Sequence, residues 1–245
     1  MQNVKFYDLG TVDYKEAWDY QEELFNEVTK RKLSGDGKLH YLLFCEHPHV
    51  YTLGKSGENA NLLIPDEMLK RINASFYHIN RGGDITYHGP GQIVAYPILN
   101  LEAFGLTLKS YIHLLEQVVI DCLQEYGIMA ERLEGATGVW LDPGVKGRER
   151  KICAIGVRAS RFVTMHGLAF NVNTNLDYFR YINPCGFTDK GVTSMQEELN
   201  HPVDIEEVKE RLLNHFTHRF HFACNRIGRR NGSMQNAECK LKNAK

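Results

Sequence analysis

Apolar positions recur along this chain at two periods, helical and alternating, and the elements they predict make up one α+β domain. Phe6 to Leu9 can begin a strand, and Asp13 followed by Glu16 makes a capping-box-like start to a helix. Ala17, Trp18, Gln21, Leu24, Phe25 and Val28 then repeat at helical spacing until the Ser34-Gly35-Asp36-Gly37 turn. Leu39 to Cys45 and Val50 to Leu53 read as strands joined by Glu46-His47-Pro48-His49; a short helix follows Pro65, and Ser75 to Ile79 is a further strand. Thr107 caps the strongest helical stripe, from Leu108 through Tyr111, Leu115, Val118, Val119, Cys122 and Leu123 to Tyr126, which Gly127 ends. Strands are expected at Ile128 to Arg132, Gly138 to Leu141, Ile152 to Ala159 and Phe162 to Asn171. The charged stretch from Asp142 to Arg150 between them is expected to be a flexible loop, mobile until substrate binds. A last helix is predicted from Asp204 to Phe222. Beyond Arg226 apolar periodicity stops, so a single catalytic domain over residues 1–225 and a flexible tail over 226–245 are expected. Strands, hairpins and packed helices in this order favour an α+β or mixed α/β domain over a regular βαβ array.

The chain is organised around Arg81-Gly82-Gly83-Asp84-Ile85-Thr86-Tyr87-His88-Gly89-Pro90-Gly91-Gln92, which runs directly into a buried strand, Ile93 to Asn100. Its glycines suit positive φ or the close approach of a ligand, so the stretch reads as a pocket wall, with a surface hairpin as the alternative. Gly54-Lys55-Ser56 resembles the end of a phosphate-binding loop, but His49 stands where that motif requires its first glycine. Pro184 and Gly186 put Cys185 on a turn, either as an exposed nucleophilic thiol or as a structural cysteine. Lys151, taken alone, is a strand-end charge. His47 and His49 are separated by proline and lack a third ligand, which argues against zinc and leaves His49 at a pocket mouth. His215, His218 and His221 drift around their helix and do not converge on a metal. Cys45, Cys122 and Cys153 lie in apolar contexts and read as packing residues.

Composition narrows the classes further. The 245 residues are 43% hydrophobic and 24% charged, as in an ordinary globular domain. With 29 basic against 30 acidic residues the net charge is -1, too little to steer the chain to nucleic acid or an anionic membrane. Six cysteines without a C-x-x-C pair give neither a zinc module nor a disulfide framework, and reduced thiols point to a cytoplasmic setting. No signal or transit segment and no membrane-length apolar run are recognisable.

The stretch RGGDITYHGPGQIVAYPI resembles the signature of the lipoate-biosynthesis octanoyltransferases, and two later segments match in order: Lys151-Ile152-Cys153-Ala154-Ile155-Gly156 with His166-Gly167-Leu168-Ala169-Phe170-Asn171, and Asn183-Pro184-Cys185-Gly186. The resemblance implies the fold of the biotin and lipoate protein ligases, with a mixed central sheet, a smaller sheet and flanking helices. It implies transfer of an octanoyl group from acyl carrier protein to a lysine of the lipoyl domains of 2-oxoacid dehydrogenases and of the glycine cleavage H protein, with no metal, nucleotide or other cofactor. By the same resemblance Cys185 is the nucleophile and Lys151 its partner. The acyl-binding wall is Arg81, Gly82, Gly83, Asp84, Ile85, Thr86, Tyr87 and His88 with Ala154, Ile155, Gly156, Gly167, Leu168 and Ala169. His88 either orients the Cys/Lys dyad or only walls the pocket.

Two other readings compete. An ATP-dependent lipoate or biotin protein ligase would use the same fold, but the glycine loop lacks the extra arginines and glycines those ligases place around phosphates, and Cys185 would have no task. A non-catalytic acyl- or protein-binding module would have no need of both Lys151 and Cys185.

Overall fold

The computed structural model describes residues 1–183 and 190–227. Cys185 and the tail beyond Ile227 therefore lie outside the described residues.

Among the described residues twelve strands run β1 (Gln2–Thr11), β2 (Tyr41–Glu46), β3 (Val50–Leu53), β4 (Ser75–His78), β5 (Ile85–His88), β6 (Gln92–Ile98), β7 (Glu131–Leu133), β8 (Ala136–Leu141), β9 (Arg150–Ser160), β10 (Val163–Asn171), β11 (Gly191–Val192) and β12 (Phe222–Arg226). The helices are α1 (Tyr14–Leu33), α2 (Asp66–Arg71), α3 (Leu108–Glu125), α4 (Met195–Leu199) and α5 (Ile205–Phe220). A mixed main sheet has the order β12-β1-β2-β6-β10-β9-β8-β7, with β11 beside β9, and a small sheet has the order β4-β3-β5. A mixed central sheet, a smaller sheet and flanking helices are thus as expected.

Alternation along the central strands sends neighbours to opposite faces. Ile93, Ala95, Leu168 and Phe170 share one core with Tyr111, Leu115, Val119 and Cys122 of α3 and Leu212 and Phe216 of α5. Val94, Tyr96, Met165 and Ala169 face the other way, against Ala17, Leu24, Phe25 and Val28 of α1. The cap residues act where anticipated. Asp13 accepts from the Lys15 and Glu16 backbone N–H groups, and Thr107 forms a capping box with Ser110. The small sheet has its own core of Tyr51, Leu53, Ile85, Tyr87 and Ile182.

Three expectations need correction. The last helix ends at Phe220, two residues early, because His221 turns to φ +52 and the chain becomes β12, parallel to β1. The segment from Asp142 to Arg150 is tied down: Arg150 pairs with Asp142 at 2.5 Å and with Glu198 at 2.6 Å, and the Gly147 N–H donates to the Glu149 carboxylate. The strand expected at Ile128 to Arg132 forms only at Glu131–Leu133.

Lys209 of α5 is buried, with its Nζ 2.8 Å from Glu206, 3.7 Å from Glu46 and 3.8 Å from Asp8. Removing a buried cation strands its carboxylates, so Lys209→Ala should cost about 3 kcal/mol in denaturant unfolding. Arg226→Ala, which breaks an exposed pair with Glu210, should cost less than about 1 kcal/mol.

Candidate active site

The glycine loop between the small and main sheets approaches backbone to backbone. The Gly82 N–H donates to the Val157 carbonyl at 2.9 Å, and a Cβ on Gly156 would lie 2.9 Å from both Gly82 O and Arg81 Cδ. Arg81 is buried; its Nη2 donates to Thr52 O at 2.7 Å and Nη1 donates to Gly82 O, fixing the head of the loop. Asp84 is held by the Ile85 N–H and by Asn61 Nδ2, each at 2.6 Å.

Between this loop and the main sheet lies a cavity of about 540 Å³. Arg81, Gly82, Gly83, Asp84, Ile85, Thr86, His88, Ala154, Ile155, Gly156, Gly167, Leu168, Ala169 and Lys151 all line it. Tyr87 does not. Being next to Thr86 and His88 on β5, it turns to the other face, sits in the small sheet's core, and its hydroxyl meets His49 Nδ1 at 2.7 Å. His49 is likewise no part of the lining; it stacks on Tyr178 at 4.1 Å. The floor is made of small residues from adjacent strands, Ala154 opposite Ala169 and Gly156 opposite Gly167, which leave room for an apolar chain.

Lys151 projects its ammonium over the Trp140 ring, 4.6 Å from the centroid. Its stem passes Gly138, where φ is +126 and a Cβ would lie 2.6 Å from Cys153 O and 3.3 Å from Lys151 Cε. The Gly138 N–H donates to the buried Glu116 of α3, which Arg132 also holds. A polar position in the middle of an apolar helix stripe thus anchors the strand beside the lysine.

His88 walls the cavity. Gln92 Nε2 donates to Tyr87 O and to Asn171 Oδ1, so Gln92 Oε1 must accept from His88 Nδ1, at 2.8 Å. Asn171 Nδ2 donates to Thr193 O, and the Thr193 N–H donates to Lys151 O. His88 therefore reaches the lysine through a chain of hydrogen bonds. Gln92, Asn171, Thr193, Gly138 and Glu116 were not among the residues singled out beforehand. The first two stand inside the quoted motifs, but no local pattern marks the others. His215 pairs with Glu125 at 2.5 Å, and no cluster able to hold a metal occurs among the described residues.

Comparison with known proteins decides the family. An octanoyltransferase of Bacteroides fragilis is 62% identical over 205 residues, 84% of this chain and 92% of that protein, and one from Parabacteroides distasonis is 56% identical over 220 residues, 90% of this chain and all of its own. The chain belongs to the octanoyltransferase family. The model of the lipoyl protein ligase A/B catalytic domain matches residues 13–217. In fold the chain is similar to a lipoate-protein ligase A solved with ATP, at TM-score 0.74 and 17% identity, covering 93% of this chain and 89% of that one. A bipartite lipoate protein ligase of Thermoplasma acidophilum gives 0.70 at the same identity, covering 93% and 88%. Octanoyltransferases are acyltransferases, and membership assigns this chain to octanoyl or lipoyl transfer in protein lipoylation. The ligase likeness shows fold alone, so the ligase and binding-module readings lose their ground. No described helix is long and apolar enough to cross a membrane.

Two outcomes follow for an octanoyltransferase built this way. Gly138→Ala should lower transfer about tenfold by displacing Lys151, with the far-UV spectrum unchanged. Burial pushes His47 and His40 down to about 4 and, with neighbouring cations or His47 adding to it, His88 and His166 down to about 3. In the unfolded chain these groups titrate near ~6.5. Their contribution to stability is therefore complete above that pH and is lost as pH falls toward 4. Stability against urea should fall steadily from pH 6.5 to 4.5, and His47→Gln should flatten the slope by up to about 1.4 kcal/mol per pH unit.

Proposed function

We propose that the chain transfers an octanoyl group from acyl carrier protein to a lysine of a lipoyl domain through a thioester on Cys185, with Lys151 as the proton carrier. The observation that carries this reading is Lys151 itself, a cation held over Trp140 in the wall of a cavity floored by small residues. Further support comes from the chain around the nucleophile. Asn183, two residues before Cys185, donates its N–H to Asn61 O; Lys190, five residues after it, lines the same cavity, and Val192 pairs with Lys151.

An ammonium beside a thiol favours the thiolate. The Cys185 thiolate attacks the thioester carbonyl, and the tetrahedral intermediate collapses with loss of the phosphopantetheine thiolate, which takes a proton from Lys151. Neutral Lys151 then removes a proton from the acceptor amine as nitrogen attacks the acyl-cysteine. An amide forms, Cys185 leaves as thiolate and the Lys151 ammonium is restored. Thioester exchange is close to thermoneutral, and amide formation drives the second half. The four small residues of the floor accept the octanoyl chain. Acceptors are the lipoyl domains of 2-oxoacid dehydrogenases and the glycine cleavage H protein, in the cytoplasm, and neither metal nor nucleotide takes part.

With octanoyl acyl carrier protein and a lipoyl domain, and no ATP, the wild type should modify the acceptor lysine. Cys185→Ala should abolish this, and Lys151→Met should slow it roughly 10²- to 10⁴-fold. Wild-type rates in Cys185→Ala, or a requirement for ATP, would overturn the reading.

A further inference from the structure

Strand β10 departs from regular geometry where it passes Pro97. Its ladder with β6 begins only at Leu168 opposite Ala95, and before that Thr164 Oγ1 donates to Pro97 O and the Thr164 N–H donates to Leu99 O. Proline has no N–H to offer the missing rung. In the gap His166 takes φ +61, a conformation that costs a non-glycine residue about 1–3 kcal/mol. Such bulges re-aim side chains.

Strict alternation would send His166 to the α3 face with Leu168 and Phe170. Instead its backbone N–H donates to Gln21 Oε1 of α1 at 3.1 Å, and its ring forms a wall of the cavity. Asn80 Nδ2 donates to Glu22 Oε1, which leaves Asn80 Oδ1 to accept from His166 Nε2 at 2.8 Å. Asn80 immediately precedes Arg81. The His166–Asn80 bond therefore ties the floor strand to the root of the glycine loop. His166 Nδ1 finds no hydrogen-bond partner among the described residues although the side chain is only 2% exposed. Two local costs, of backbone and of hydrogen bonding, thus fall on one cavity-lining residue.

Position gives those costs a purpose. Cys153 pairs with Phe170, which puts Lys151 level with Val172, six residues from His166, or about 20 Å along the strands. The residues near Lys151, Lys190 and Gly191 are partly or fully exposed, whereas His166, Tyr96 and Tyr14 are buried. Van der Waals contact with the lysine and with the imidazole takes about 4 Å at each end, leaving about 12 Å for an octanoyl chain whose seven carbon–carbon bonds, in a zigzag, span about 9 Å. Entering beside the lysine, that chain runs over Ala169 and Gly167 toward His166.

We propose that His166 is the end stop of the acyl cavity and limits the length of chain it accepts. The inference rests on the octanoyl-transfer reading for the direction in which the chain lies. Each added methylene that finds apolar room improves binding about fourfold; one that meets a fixed ring does not.

Titration calorimetry with octanoate, decanoate and dodecanoate tests this on the full chain, beside transfer assays with the matching acyl carrier protein thioesters. His166→Gly suits the positive φ and removes the stop; His166→Asn also tolerates that φ and removes only part of it. The ratio of dodecanoate to octanoate affinity should rise at least tenfold in His166→Gly and by less in His166→Asn, and the optimum for transfer should lengthen with it. An unchanged ratio in both variants overturns the proposal. If chain-length preference in binding moves as expected while octanoyl is not transferred even by the wild type, the end stop stands and the transferase reading fails.

Discussion

Everything at this site depends on how closely the glycine loop lies on the main sheet. A Cβ on Gly54 would stand 2.3 Å from Gly83 O, and one on Gly156 would stand 2.9 Å from Gly82 O, so the loop lies backbone to backbone on the end of β3 and on β9 alike. That contact turns a hairpin into the roof of a cavity. It also brings Arg81 against Thr52, and Asp84 within reach of Asn61, so that the wall is rigid before any ligand arrives. Preorganisation of this kind lowers the ordering cost of holding a flexible acyl chain.

The polar groups left inside this apolar shell are joined to one another. From His88 a run of hydrogen bonds passes through Gln92, Asn171 and Thr193 to the backbone of Lys151, and Thr193 Oγ1 continues it to Glu198 and Arg150. Four strands and the turn below the lysine are thereby held in one register. Burial keeps the cavity histidines neutral, which leaves Lys151 and Arg81 as the cations of the described lining near its two ends together with Lys190. A thiol brought near Lys151 meets a positive charge at the partly exposed end of the cavity.

Much of this was legible in the sequence because it is written in local patterns. The stripes of α1 and α3, their caps and the buried central strands follow from spacing alone, and the glycine loop announced a close backbone approach. Tyr87 shows where a contiguous motif misleads: a wall built on a strand alternates, so one residue of Arg81 to His88 had to face away. Glu116, Gly138 and Thr193 were out of reach because their roles come from register between strands distant in sequence. His166 stood inside a quoted motif, yet only the missing rung opposite Pro97 makes it a wall of the cavity. The last helix was drawn two residues too long, to Phe222, and β12 was not anticipated, because the reversal at His221 rests on a histidine in a conformation its type does not announce.

The central claim is that the octanoyl group rests on Cys185 between donor and acceptor. Intact-protein mass spectrometry after mixing the enzyme with octanoyl acyl carrier protein, without ATP or acceptor, tests it most directly. The account predicts a gain of one octanoyl group that hydroxylamine discharges and that Cys185→Ala lacks; an unmodified wild type, or an adduct that survives in Cys185→Ala, would contradict it.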